Sequence, residues 1–130
     1  MSPQVIHFFI CEGVSHDRRN LLRLNINGLQ VRIRTDLALP VRHNFCAVAM
    51  MVGYQGRGEI WFRVLHDATN RRLAETQHRR IRFPRNPDEL YGFRSQVTNC
   101  TLPAYGRYRL ELWLSGDVIA VSPFWLLPKV

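Results

Sequence analysis

The feature that most limits this chain is its period-two alternation of apolar and polar residues, broken every 8–14 residues by Gly, Pro, Asn and Asp. Successive side chains of a strand point to opposite faces, so such alternation builds half-buried strands. No stretch of ten residues carries an apolar stripe of helical period with capping residues at its ends. The clearest segment is Leu22-Arg-Leu-Asn-Ile26, then Asn27-Gly28, then Leu29-Gln-Val-Arg-Ile33. Asn-Gly suits a two-residue turn in which both central residues need positive φ. The resulting hairpin would pair Ile26 with Leu29, Leu24 with Val31 and Leu22 with Ile33. Its apolar side chains then share one face, while Arg23, Asn25, Gln30 and Arg32 share the other. A second hairpin is expected from Tyr108–Leu114 to Val118–Val121, closed at Gly116-Asp117, with Leu114 opposite Ile119 and Leu112 opposite Val121.

Further strands are expected at 4–12, 43–54, 59–66, 73–83, 91–100 and 122–127. Eight or nine strands without a helix predict an all-β fold, a single immunoglobulin-like or C2-like antiparallel β-sandwich spanning residues 1–130. The segment Pro103-Ala-Tyr-Gly-Arg-Tyr108 resembles the loop-to-strand corner of such sandwiches, where a tyrosine hydroxyl bonds back to the backbone. With 46% hydrophobic and 22% charged residues, the chain has the make-up of a globular domain. No apolar run approaches the ~18–20 residues of a membrane span. The N-terminus lacks the basic, apolar and small-residue succession of a secretory signal, which predicts a cytoplasmic protein. Cys11, Cys46 and Cys100 form no CxxC unit and sit in apolar runs, so they are expected as free, mostly buried thiols.

The opening Phe8-Phe-Ile-Cys-Glu-Gly-Val14, a polar loop, and Asn20-Leu-Leu-Arg-Leu-Asn-Ile26 resembles a family of small uncharacterised bacterial β-sandwich proteins. Gly58-Glu-Ile-Trp-Phe-Arg-Val64, an acidic turn at Asp67, and Gly106-Arg-Tyr-Arg-Leu110 with Pro123-Phe124 extend the likeness over nearly the whole chain. The resemblance implies the same fold and no established activity.

Catalytic signatures are weak. Ser15-His16-Asp17 places three triad residue types side by side, whereas triads are assembled in space from separate positions. His16 and His66 are the only anchors for a hydrolase, and the chain has neither a phosphate-binding glycine loop nor a nucleophile elbow. The five histidines are too scattered for a metal site, so no enzyme activity, cofactor or metal is expected.

Charge is more suggestive. The formal net charge is +8, and of 18 basic residues only Lys129 is a lysine. Arg71, Arg72, Arg79, Arg80, Arg82 and Arg85 form the densest cluster, a candidate face for nucleic acid or another polyanion. Arginines on a sheet also solvate its outer surface and block edge-to-edge aggregation. The run Phe45-Cys-Ala-Val-Ala-Met-Met-Val-Gly-Tyr54 is apolar at both parities, and Trp61 and Trp113 share a predicted outer face with Arg63 and Arg109. Apolar and aromatic side chains rimmed by arginine fit a protein interface, which makes Met50, Trp61 and Trp113 candidate contacts for a partner or a homodimer. The function favoured by the sequence is therefore a non-catalytic protein-interaction domain, with polyanion binding as the alternative.

Overall fold

The computed structural model describes residues 3–16 and 24–129, the side chains of His16 and Leu24 excepted. It contains ten strands and, among the described residues, no helix. They are β1 (Gln4–His16), β2 (Leu24–Gln30), β3 (Arg32–Thr35), β4 (Val41–Val52) and β5 (Arg57–His66). β6 (Arg71–Glu75), β7 (Arg79–Arg82), β8 (Tyr91–Leu102), β9 (Gly106–Leu114) and β10 (Asp117–Pro128) follow. A four-stranded sheet runs β2-β1-β4-β8, and a six-stranded sheet runs β3-β10-β9-β5-β6 with β7 also on β5. Among the described residues, no helix is long and apolar enough to cross a membrane.

The all-β expectation holds, but the strand count and the purely antiparallel arrangement do not. The six-stranded sheet is mixed, because β3 runs parallel to β10, with Trp125 opposite Arg32 and Pro128 opposite Thr35. Of the immunoglobulin-like or C2-like antiparallel sandwich expected above, the two sheets of strands are present, and the antiparallel pairing is corrected to a mixed one.

The expected Asn27-Gly28 hairpin does not form. Gly28 has φ +63°, but Asn27 does not share the positive φ that the turn requires. β2 instead continues through both residues and pairs with β1, Cys11 opposite Leu29 and Val14 opposite Ile26. The chain then passes to the other sheet across Val31, the single residue between β2 and β3. Leu22 and Arg23 of the expected hairpin lie outside the described residues. The positive-φ turn occurs at Ser115 (φ 49°) and Gly116 (φ 89°), one residue earlier than expected, with Leu114 opposite Asp117. A bulge after Val118 then brings Ala120 opposite Leu112.

The expected strand 73–83 is two strands sharing one edge of β5, β6 along Arg63–His66 and β7 along Arg57–Ile60. Thr76 makes the break: its N–H donates to the Phe62 carbonyl (2.9 Å) and its hydroxyl accepts from the Phe62 N–H (2.8 Å).

The sheets pack face to face. Phe45, Ala47, Ala49 and Met51 of β4 meet Ile60, Phe62 and Val64 of β5 and Leu110 and Leu112 of β9 in one core. Phe62 stacks with Phe8 (6.0 Å between ring centroids) and Phe93 (5.3 Å) of the opposite sheet. Phe62, wholly removed from water, contributes roughly 1.5–3 kcal/mol. The alternate residues of β4 explain the run apolar at both parities. Cys46 and Val48 form a second cluster with Cys11 on the outer side, with Phe9, Val14 and Met50 packed against it. At the mouth of β9 the Tyr108 hydroxyl donates to the Ala104 carbonyl (2.5 Å) and accepts from the Ala104 N–H (3.2 Å), the corner bond expected there.

Candidate functional site

The outer face of the six-stranded sheet carries most of the candidate residues. Strand alternation sends Ile60, Phe62 and Val64 to the core, so Arg57, Glu59, Trp61 and Arg63 point outward. Trp61 lies opposite Trp113 of β9, and their rings stack at 5.8 Å. His78 covers the far side of Trp61 at 3.8 Å and 9°, leaving the tryptophan only 6% exposed. The Arg63 guanidinium sits 4.3 Å above the Trp113 ring and pairs with Glu75 at 2.6 Å. Trp113 Nε1 donates to Glu111 (3.2 Å), and Arg109 pairs with Asp67 (2.9 Å). Burial pushes the Glu75 carboxyl upward, but hydrogen bonds from Arg63 and His78 and the charges of Arg63 and Arg72 hold it below its ordinary value. Most of these aromatic and charged groups therefore have partners within the domain itself.

The arginines at the β5–β7 corner are different. Arg57 lies directly opposite Arg82, and Glu59 opposite Arg80. Arg57, Gly58, Glu59, Arg80, Ile81 and Arg82 line a groove of about 520 Å³. A second groove of about 380 Å³ shares Arg57 and Arg82 and adds Arg85 and Phe83. Gly58 leaves room for the Leu114 side chain of β9, whose Cδ1 a β-carbon there would meet at 2.8 Å. The two adjoining grooves thus bring together four arginines and a single carboxylate, Glu59, which is already engaged by His78 Nδ1 at 2.8 Å. Among the described residues none of these four arginines has an ion pair.

The six clustered arginines of the sequence reading separate into three places. Arg80, Arg82 and Arg85 join Arg57 at the corner. Arg71 and Arg72 line a small hollow with Leu73, Thr101 and Pro103, and Arg72 pairs with Glu75 at 3.6 Å. Arg79 faces another groove, of about 370 Å³, with Cys46, Arg94 and Gln96. Sequence reasoning missed Arg57 and Arg94, because only strand pairing brings them beside the cluster.

Met50, Trp61 and Trp113 do not share a surface. Met50 is on the outer side of the four-stranded sheet, while the tryptophans are on the outer side of the other. His66 Nδ1 contacts the Thr69 hydroxyl (3.1 Å), and the neighbouring Asp67 is taken up by Arg107 and Arg109. Asp17 and the side chain of His16 lie outside the described residues, which contain no cluster of three or more His, Cys, Asp or Glu fit for a metal.

A model of the family of unknown function DUF6941 matches residues 6–126. The chain belongs to this family. The uncharacterised family expected from the opening and closing strands is thereby established for nearly all of the DUF6941 chain, and no curated protein matches it. Similar solved structures include a beta-glucosidase from Listeria innocua in complex with glucose (TM-score 0.46, 10% identity). Another is the Pseudomonas fluorescens alkylpurine DNA glycosylase AlkC bound to DNA containing an abasic site analog (TM-score 0.45, 11% identity). Each match covers 92% of the DUF6941 chain but only 16% and 30% of those two proteins, respectively.

Proposed function

We propose that this DUF6941 domain is a non-catalytic binding domain that holds a polyanion, such as single-stranded nucleic acid, at its β5–β7 corner. The observation that carries the reading is the direct opposition of Arg57 and Arg82, flanked by Arg80 and Arg85 around two adjoining grooves. Like charges facing each other across a ladder destabilise the sheet, and a bound anion removes that repulsion. Guanidinium groups also suit phosphate through paired N–H donors. The corner has better support than a contact through Met50, Trp61 and Trp113, which divide between two outer faces.

The test is a fluorescent single-stranded oligonucleotide titrated against the domain over a salt series. Four arginine–phosphate contacts predict a log–log salt slope of about −3. Arg57→Glu with Arg82→Glu should abolish binding. Absent binding at low salt, a flat salt dependence, or full affinity in the double variant would each remove the proposal.

A further inference from the structure

The second apolar cluster contains a pair of thiols that play no part in the arginine corner. Cys11 of β1 and Cys46 of β4 are direct partners across an antiparallel ladder, and both point to the outer side of the four-stranded sheet. Opposed residues in such a ladder have Cα atoms about 4.5–5.5 Å apart, inside the 4.4–6.8 Å range that a disulfide spans. The ladder therefore already supplies the Cα separation that a bridge requires.

The two sulfurs are not equally placed. Cys11 is 0% exposed, and its thiol points at the Gly13 carbonyl (3.5 Å). Cys46 is 5% exposed and lines the groove that also holds Arg79 and Arg94. The Arg94 guanidinium donates to the Val14 carbonyl (3.4 Å), which holds it beside this groove. A small reagent in the groove meets Cys46 first, in a positive field, with Cys11 directly behind it. Cys100 has neither feature, being 1% exposed within the main core.

We propose that Cys46 and Cys11 form a thiol–disulfide exchange site for a small anionic disulfide, Cys46 attacking first and Cys11 resolving the adduct. The Cys46 thiolate attacks one sulfur of the reagent RSSR, forming Cys46–S–S–R and releasing RS⁻. Cys11 then gives its proton to the released RS⁻, and its thiolate displaces the second RS⁻ from Cys46. Two protein thiols lose two protons and two electrons, and the small disulfide leaves as two thiols. Burial raises both protein thiols, Cys11 to about 11, while the Arg94 charge counteracts the rise at Cys46. This asymmetry supports the order of attack and makes the exchange slow near neutral pH.

Incubation of the folded domain with glutathione disulfide at mildly alkaline pH, followed by intact mass and peptide mapping, tests the site. The wild-type chain should lose the mass of two hydrogens, and mapping should give a Cys11–Cys46 bridge. Cys11→Ser should instead accumulate a glutathionyl adduct on Cys46, while Cys46→Ser should leave Cys11 unmodified. Arg94→Glu should slow the reaction by about tenfold with glutathione disulfide and by distinctly less with the neutral 2-hydroxyethyl disulfide, which senses only the loss of thiolate at Cys46. Wild-type chain that stays reduced under excess reagent, or that pairs Cys100, overturns the proposal whatever the variants do. Faster modification of Cys11 in Cys46→Ser than of Cys46 in Cys11→Ser overturns the order of attack.

Discussion

The imidazole of His78 lies flat on the indole of Trp61, 3.8 Å between ring centroids and 9° from parallel, while contacting Glu59 at 2.8 Å and Glu75 at 3.2 Å. One short segment between β6 and β7 thereby seals a tryptophan that strand parity alone would leave in water. Truncation by His78→Ala should uncover the indole, shifting tryptophan emission to the red and costing about 1 kcal/mol. Urea unfolding followed by emission checks both. An unchanged spectrum would mean that the imidazole does not cover the ring in solution.

The Arg57–Arg82 opposition gives a prediction on stability that runs against one on binding. Arg82→Glu replaces a like-charge cross-strand pair by an opposite one, so the free domain should gain about 0.2–1 kcal/mol. The gain should shrink as salt is added, because both side chains are exposed. The same variant should bind a polyanion less well. Thermal melts at two salt concentrations measure the first effect.

The Tyr108 hydroxyl is satisfied by both backbone groups of Ala104, and the ring is fully buried between His66 and Phe124. Tyr108→Phe keeps the packing and orphans those backbone groups, at a cost of about 1–3 kcal/mol. Denaturant midpoints read this directly. A loss in the lower half of that range would show that water replaces the hydroxyl at the corner.

Acid should weaken the fold in two stages. Burial lowers His43 below the ordinary imidazole value, with the Glu12 charge opposing it, so the unfolded chain takes up the proton first. Stability therefore falls as the pH drops through about 6.5 and below. Glu75 is held low despite its burial, chiefly by its hydrogen bonds from Arg63 and His78. Its contribution is present above the ordinary carboxylate range and is lost as the pH falls through that range and beyond. Urea midpoints against pH should lose the upper stage in His43→Gln and the lower one in Glu75→Gln.

The parts of the fold legible in the sequence are those decided within one strand or one turn. Alternation in 57–66 and 106–114 separates core from outer face, and placing Ile81 and Phe83 inward puts Arg80 and Arg82 outward. The corner at Tyr108 is equally local, since donor and acceptors lie four residues apart. Pairing is not local. Asn27-Gly28 has the chemistry of a turn, yet the 13 residues of β1 offer an edge that β2 satisfies by running straight on. A residue's neighbours across a ladder depend on register, so nothing in Gly56-Arg57-Gly58 announces Arg82 as the opposite residue. The same reason hides Arg94 beside Cys46, and the splitting of 73–83 depends on Thr76 meeting Phe62 from another strand.

The passage of Leu24–Thr35 from one sheet to the other carries a mechanical consequence. A single ribbon is laddered to β1 at one end and to β10 at the other, with one residue between the two attachments. It acts as a stitch through both layers of cloth: neither layer can slide over its neighbour without tearing one row of backbone bonds. Force applied along the strands should therefore meet one shared yield point for the whole body, rather than a soft slippage followed by a second rupture.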